Sequence, residues 1–373
     1  GSEMCIRDRY GCPDSINKPI VCPDKFLCDS EVQASLMAFG LGACTTMSHW
    51  HRRLAHKLHG PALRRIWKEN LVDGFSLKGN LSKLTTCGCV ACRMAKARRR
   101  PSNRDNLRQP ATSVGERVST DIKEVNTVAL GGHRYCCIFV DEYSGEKCVY
   151  PMRRKNDLVD AALRPYLAYM KSMGHKVKLI TSDRGSNYFS NNKDGETRDR
   201  GFAARLESQF SQVLKKDPFH LGTHKPIPVE SHEKRAESAI NELFQSADAM
   251  LFDARLSAVL WPAAVIYAAF ISNRIPCLHR RMTPYSIVSG KPTDWSKIRV
   301  FGSSVVETIP NDDFKKTPGV ARGRHRIFIG FARDRSGYLL LDPVTRSTDT
   351  ADSCVFYEDF SDRIDSLLSL IHI

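Results

Sequence analysis

The sequence predicts an α/β fold with a mixed sheet in the middle of the chain. Tyr135–Val140 and Lys147–Met152 are short apolar runs bounded by turn residues, and Asp121 ends or lies within a similar run before them. Together they are typical of a three-strand meander. Leu158–Met173 has apolar residues at helical spacing and leads into a fourth apolar run at Val177–Ile180. The order β-β-β-α-β therefore predicts a sheet with strands of both directions.

Composition limits the classes of protein that the chain can belong to. Its 373 residues suffice for two or three domains, and 42% hydrophobic residues allow a substantial core. The formal net charge of +15 favours a polyanionic partner. No run of 18 apolar residues predicts a membrane span. Thirteen cysteines without a signal peptide predict a reducing compartment and one metal site rather than a disulfide framework.

A zinc site is predicted in the N-terminal part of the chain. His51 and His56 are five residues apart, and Cys89 and Cys92 form a CxxC pair. Two imidazoles and two thiolates make a closed tetrahedral zinc site of the structural kind. The spacing alone leaves alternatives open. His49 and His59 compete for the histidine positions, and Cys87 is a spare thiol that could replace one of the cysteines.

The chain divides into segments of different character. Short β-like runs separated by Gly, Pro and Asp in the last third predict a small antiparallel β domain. The Lys- and Arg-rich stretch before the central sheet predicts a linker that follows a phosphate backbone. We expect an irregular, partly non-native or linker segment at 1–45, a helical zinc module at 46–97, the basic linker at 98–114, the α/β core at 115–275, the β domain at 276–365 and a tail at 366–373.

Acidic residues on three separate elements form a candidate active site. Asp121 and Asp183 each lie at or near the end of a predicted strand, and a long predicted helix from Ser231 to Ala254 carries both Glu233 and Glu237. Helical geometry does not choose between the two glutamates. Two strand carboxylates and one helix carboxylate could hold two Mg²⁺ ions about 4 Å apart.

Other residues and motifs are set aside at this stage. Glu242 points away from the apolar face of the same helix, and Asp141 is interpreted as structural. The chain has no GxSxG elbow, no P-loop and no HExxH helix.

A series of motifs in one order spans residues 48–360. Trp50–His56 resembles WHxRLGH, Cys89–Lys96 resembles CxxCxxGK, Tyr135–Tyr150 resembles YFLTFIDDYSRKTWVY, Ser182–Gly185 resembles SDNG, and Ala236–Leu251 resembles AERxNRT…ARSML. Further matches follow in the same order at Thr283–Tyr285, Gly290–Pro292, Arg299–Gly302 and Phe328–Leu341. Together these motifs resemble the integrase segment of copia-type (Pseudoviridae) LTR-retrotransposon polyproteins.

The resemblance implies a ribonuclease-H-like catalytic core between an HHCC zinc module and the β domain. It also implies a polynucleotidyl transferase that uses two Mg²⁺ or Mn²⁺ ions and the triad Asp121, Asp183 and Glu237. The downstream register of the helix motif favours Glu237 over Glu233. The separation between Asp183 and Glu237 exceeds that of the family, and Asn191–Gly201 is the candidate insertion.

The resemblance further implies the cellular setting. The partners would be double-stranded DNA, as LTR ends and target DNA, and further copies of the chain. Protease and reverse transcriptase would belong to the same parent polyprotein. The chain would act in the nucleus after a cytoplasmic stage in a virus-like particle. The alternative is a catalytically decayed or domesticated derivative that only binds nucleic acid.

Overall fold

The structure is a computed structural model that describes part of the chain. It describes residues 47–58, 60–77, 89–95, 110–183, 208, 210–217, 219–220, 222–227, 235–277, 280–308, 322–332 and 337–358. All of them belong to one compact unit, Cys44–Ile373. The irregular N-terminal segment, most of the basic linker, the predicted insertion, the tail, Glu233, His59 and Cys87 lie outside the described residues.

The mixed sheet that the sequence predicts forms the centre and has five strands. Strand β1 pairs antiparallel with β2 and parallel with β4, so the direction changes at β1. The spatial order is β3-β2-β1-β4-β5. The strands are β1 (Val118–Glu124), β2 (Tyr135–Asp141), β3 (Lys147–Met152), β4 (Leu179–Asp183) and β5 (Thr223–Ile227).

Strand β5 is preceded by a turn that contains Phe219 and His220. The Asp217 carboxylate accepts the backbone N–H groups of both, at 2.9 and 3.2 Å, which curls the chain locally. The chain therefore becomes extended only at Thr223, where its N–H donates to the Lys178 carbonyl.

Helices cover both faces of this sheet. On one face the predicted crossover helix starts with a π-helical turn at Val159–Leu163, and Pro165, which has no N–H to donate, follows in the first turn of the α-helix. The other face is covered by two long helices, the first of which was predicted from Ser231 to Ala254, and Pro262 lies in the first turn of the second. The helices are α1 (Met47–Arg53), α2 (Gly60–Lys68), α3 (Val90–Ala95), α4 (Arg164–Ser172), α5 (Arg235–Asp253), α6 (Trp261–Arg274) and α7 (Pro284–Ser289).

A second sheet, entirely antiparallel, follows the helices. Its order is β10-β6-β7-β8-β9. It confirms the predicted antiparallel β domain and adds one strand, β9, whose sequence is too polar to have been recognised. The strands are β6 (Ser304–Thr308), β7 (Gly323–Phe331), β8 (Tyr338–Leu341), β9 (Thr348–Ala351) and β10 (Cys354–Tyr357).

One continuous apolar cluster connects the N-terminal helices, the α5–α6 layer and the second sheet. Trp50 of α1, Leu243 of α5, Tyr267 of α6 and Phe328 of β7 are all buried in it. A buried carboxylate reinforces the junction, because Glu358 accepts hydrogen bonds from the side chain of Arg53 and the backbone of Val300. Within the described residues, no helix is both long and apolar enough to cross a membrane.

Candidate metal centre and carboxylate site

The four predicted zinc ligands come together in one cluster. His51 lies in α1, which ends at Arg53, and the chain then turns through left-handed Ala55 and His56, with φ of 51° and 57°. This turn brings the His56 N–H to the His51 carbonyl, at 2.9 Å. The ligand atoms of His51, His56, Cys89 and Cys92 all lie within 4.8 Å of one another.

The second nitrogen of each imidazole fixes which atom faces the cluster. His51 donates from Nδ1 to the Leu58 carbonyl at 2.5 Å, which leaves Nε2 directed at Cys92 Sγ, 3.2 Å away. His56 directs Nδ1 at Cys89 Sγ, 3.3 Å away, and its Nε2 faces the carboxylate of Asp253 at 3.6 Å. Metal-binding histidines generally have such a partner on the nitrogen that does not bind the metal.

The donor set fits zinc. Zinc bonds of about 2.0 Å to nitrogen and about 2.3 Å to sulfur put the ligand atoms of a tetrahedron roughly 3.3–3.8 Å apart. The two nitrogen–sulfur distances of 3.2 and 3.3 Å are close to that range, and the whole set lies within 4.8 Å. The Cys92 thiol and the two imidazoles hold the pKa of the Cys89 thiol far below its usual range. Burial alone would lower the pKa of His56, but Asp253 and Cys89 raise it above its usual value. The cluster therefore stabilises a thiolate at Cys89 and positive charge at His56. Such a site suits a divalent cation.

The two predicted catalytic aspartates are neighbours in the central sheet. Backbone register pairs Thr120 of β1 with Ser182 of β4, and these two strands run parallel. In the backbone, Asp121 and Asp183 therefore hold the next positions along adjacent strands. Asp121 is half-buried, and its Oδ1 accepts the backbone N–H of Ile122 at 2.8 Å.

Helix α5 covers one face of the sheet. Lys123, two residues after Asp121 and so on the same side of β1, donates from Nζ to Asn241 Oδ1 of α5 at 2.9 Å. Glu237 lies one turn before Asn241 and is exposed in the first turn of the helix. Lys123, Glu237 and Asn241 line an open cleft of about 430 Å³, together with Asp248.

Residues that the sequence set aside have other partners. Glu242 forms ion pairs with Lys57 at 2.6 Å and with Lys147 at 3.1 Å. Asp141 accepts the backbone N–H of Gly115 through Oδ1, and both the N–H and the hydroxyl of Ser144 through Oδ2, each at 2.7 Å.

The competing histidine His49 pairs with Glu358 Oε2 at 3.2 Å and takes no part in the His–Cys cluster.

Sequence reasoning missed two residues of the site. Lys123 could have been found, since the alternation of a strand puts residue i+2 on the same face as residue i. Asp253 could not, because its contact with His56 joins residues far apart in the chain and no local pattern marks it.

Comparisons with known proteins agree with this architecture. Residues 111–226 match the family model of the integrase core domain. The Pol polyprotein from transposon TNT 1-94 of Nicotiana tabacum is 23% identical over 311 residues, which is 83% of this chain and 21% of that protein. That from transposon RE1 of Arabidopsis thaliana is 22% identical over 300 residues, 79% of this chain and 18% of that protein. This chain thus spans about a fifth of the curated relatives that it matches.

Among solved structures, the HTLV-2 integrase catalytic core domain in complex with magnesium covers 47% of this chain and 97% of its own. The two are 13% identical with a TM-score of 0.33, a likeness too weak to carry an argument about the site.

The strand order of the central sheet and the match of residues 111–226 to the integrase core domain model indicate a core of the ribonuclease-H-like fold class. More particularly, the Pol polyproteins of plant retrotransposons match most of this chain, which is consistent with the copia-type resemblance of its motifs.

Proposed function

We propose that the chain catalyses divalent-metal-dependent 3′-end processing of element DNA and its strand transfer into host DNA. Asp121, Asp183 and Glu237 would be the three carboxylates that hold the metal ions. The observation that carries the proposal is the parallel register of β1 and β4, in which Asp121 and Asp183 directly follow the paired residues Thr120 and Ser182. The exposed position of Glu237 beside the Lys123 cleft supports it further.

Each residue would have a separate task. The hard oxygen ligands of the three carboxylates suit Mg²⁺ or Mn²⁺, and bound ions would activate the attacking oxygen and stabilise the departing 3′-oxygen. Lys123 supplies positive charge at the edge of the same cleft, where it would neutralise a DNA phosphate. The side chains of His51, His56, Cys89 and Cys92 would hold a structural zinc ion outside the reaction.

The proposed setting follows from the retrotransposon context. The substrates would be the LTR ends and a double-stranded target, and several copies of the chain would act together on two DNA ends. The parent polyprotein would supply protease and reverse transcriptase. The site of action would be the nucleus, after a cytoplasmic virus-like-particle stage.

The experiment is a nicking and strand-transfer assay on duplex DNA with Mg²⁺ or Mn²⁺. Asp121→Asn, Asp183→Asn and Glu237→Gln should each lower the rate by at least about a hundredfold, the scale on which removing one group that stabilises transition-state charge acts. Glu242→Gln is the matched control, because this glutamate lies on the same helix but pairs with Lys57 and Lys147. It should keep most of the activity.

Glu233→Gln decides the remaining choice on the helix. Retained activity in this variant, with loss in Glu237→Gln, supports the proposed triad. The reverse result would move the third carboxylate to Glu233.

A nucleic-acid-binding derivative without chemistry is the second candidate, favoured by the net charge of +15. A parent protein that binds duplex DNA but cuts none with either metal ion would support it.

A further inference from the structure

The end of α5 reaches the zinc cluster. Asp253, the last residue of this helix, places Oδ2 at 3.6 Å from His56 Nε2 and at 2.7 Å from Arg52 Nε. His56 is 99% buried, so water has little access to its second nitrogen. The Asp253 carboxylate faces that nitrogen inside the protein.

The two histidines of the cluster differ in the partner of the ring nitrogen that does not face a cysteine. His51 obtains it locally, from the carbonyl of Leu58 seven residues later. His56 obtains it from a different part of the fold, the helix that carries Glu237 in its first turn. The ion pair with Arg52 holds the Asp253 carboxylate in place from the side of the zinc module.

We propose that Asp253 is a positioning residue of the zinc site, one that holds His56 in the orientation in which Nδ1 faces the ion. The inference rests on the zinc site proposed above and extends it to a residue outside the zinc module. A carboxylate next to a ligating imidazole fixes its tautomer and increases its basicity as a ligand, and losing such a partner commonly lowers metal affinity about 10- to 100-fold.

The contact of Asp253 with His56 also connects zinc binding to helix α5, which carries Glu237. Glu237 and Asp253 are 16 residues apart on one helix, which is about 24 Å at 1.5 Å per residue. Zinc affinity would then depend on how the far end of α5 is packed. By linkage, zinc binding would in turn favour the packed position of that helix.

The test measures zinc affinity of the full chain by competition with a chromophoric chelator. Asp253→Ala should weaken zinc binding about 10- to 100-fold. Asp253→Glu, which keeps the charge, should recover part of that loss. Asp253→Asn, which keeps the side-chain volume and one oxygen acceptor, serves as a second variant if the alanine variant does not fold.

Glu242→Gln is the matched control for a purely structural effect. Glu242 also ties α5 to the zinc module, through Lys57, but it touches no zinc ligand. We expect its zinc affinity to stay within about threefold of the parent. An equal loss in Glu242→Gln and in Asp253→Asn would show that docking alone matters and would overturn the proposal.

Cobalt spectroscopy gives a readout that a loss of docking would not produce. With Co²⁺ in place of zinc, the d–d absorption band should shift in Asp253→Asn and remain unchanged in Glu242→Gln. Parent-like affinity and an unchanged band in the Asp253 variants would refute the positioning role while leaving the zinc site intact. A parent chain that binds neither zinc nor Co²⁺ would refute the zinc site and this inference together.

Discussion

At the scale of single residues, a buried carboxyl group away from the metal sites makes stability depend on pH. Glu146 is buried beside the β2–β3 turn and accepts a hydrogen bond from the Tyr169 hydroxyl at 2.7 Å. Burial raises its pKa to about 7. In the unfolded chain this group loses its proton near pH 4.5, whereas the folded protein keeps the proton up to about pH 7. The free energy of unfolding therefore falls as pH rises through this window.

Replacing Glu146 with Gln should remove that penalty. The gain of Glu146→Gln over the parent should increase between pH 5 and pH 8, by at most about 3 kcal/mol at 1.36 kcal/mol per pKa unit. Urea unfolding at the two pH values measures it. Glu124→Gln, at an exposed carboxylate of β1, is the control and should show no comparable increase. A parent whose stability is flat from pH 5 to pH 8 would contradict the prediction.

At the scale of elements, the position of Glu237 depends on how α5 packs on the sheet. Leu243 is completely buried between α5 and its neighbours, six residues or about 1.7 turns from Glu237. Leu243→Ala should lower the free energy of unfolding by about 2–5 kcal/mol, through lost burial and the cavity left behind. Ser238→Ala, at an exposed position of the same helix, should change it by less than about 0.5 kcal/mol. Urea denaturation compares the two, and equal effects would mean that α5 is not packed as described.

Local sequence patterns specify some elements here and leave others open. Strand β3 has the predicted bounds, since it is a short apolar run between turn residues. Strand β9 is polar, and the Asp217 carboxylate caps a turn before β5, so neither strand follows from apolar alternation. The site divides in the same way: the spacing of His51 and His56 indicated a ligand pair, whereas the Asp253 contact arises only from tertiary packing.

At the scale of the whole molecule, the zinc module shares its apolar core with the rest of the described unit. Trp50 of α1 contacts Trp295, with ring centroids 5.6 Å apart, and both belong to the cluster that includes α5, α6 and β7. Buried charges add to the junction, since Arg53 of α1 pairs with Glu358 after β10. Loss of the metal should therefore lower the stability of elements beyond the N-terminal helices.

Removal of zinc should accordingly destabilise the unit as one body. We expect a strong chelator, or Cys92→Ser, to lower the main melting transition by at least about 10 °C in calorimetry, because structural zinc contributes directly to folding free energy. Cys277→Ser, at an exposed thiol outside the cluster, is the matched control and should leave the transition in place. A chelated protein whose main transition is unchanged, with only a small separate transition at lower temperature, would mean that the zinc module folds independently. In that case the shared core around Trp50 would not transmit the loss of metal to α5, and the packing of α5 would not depend on zinc.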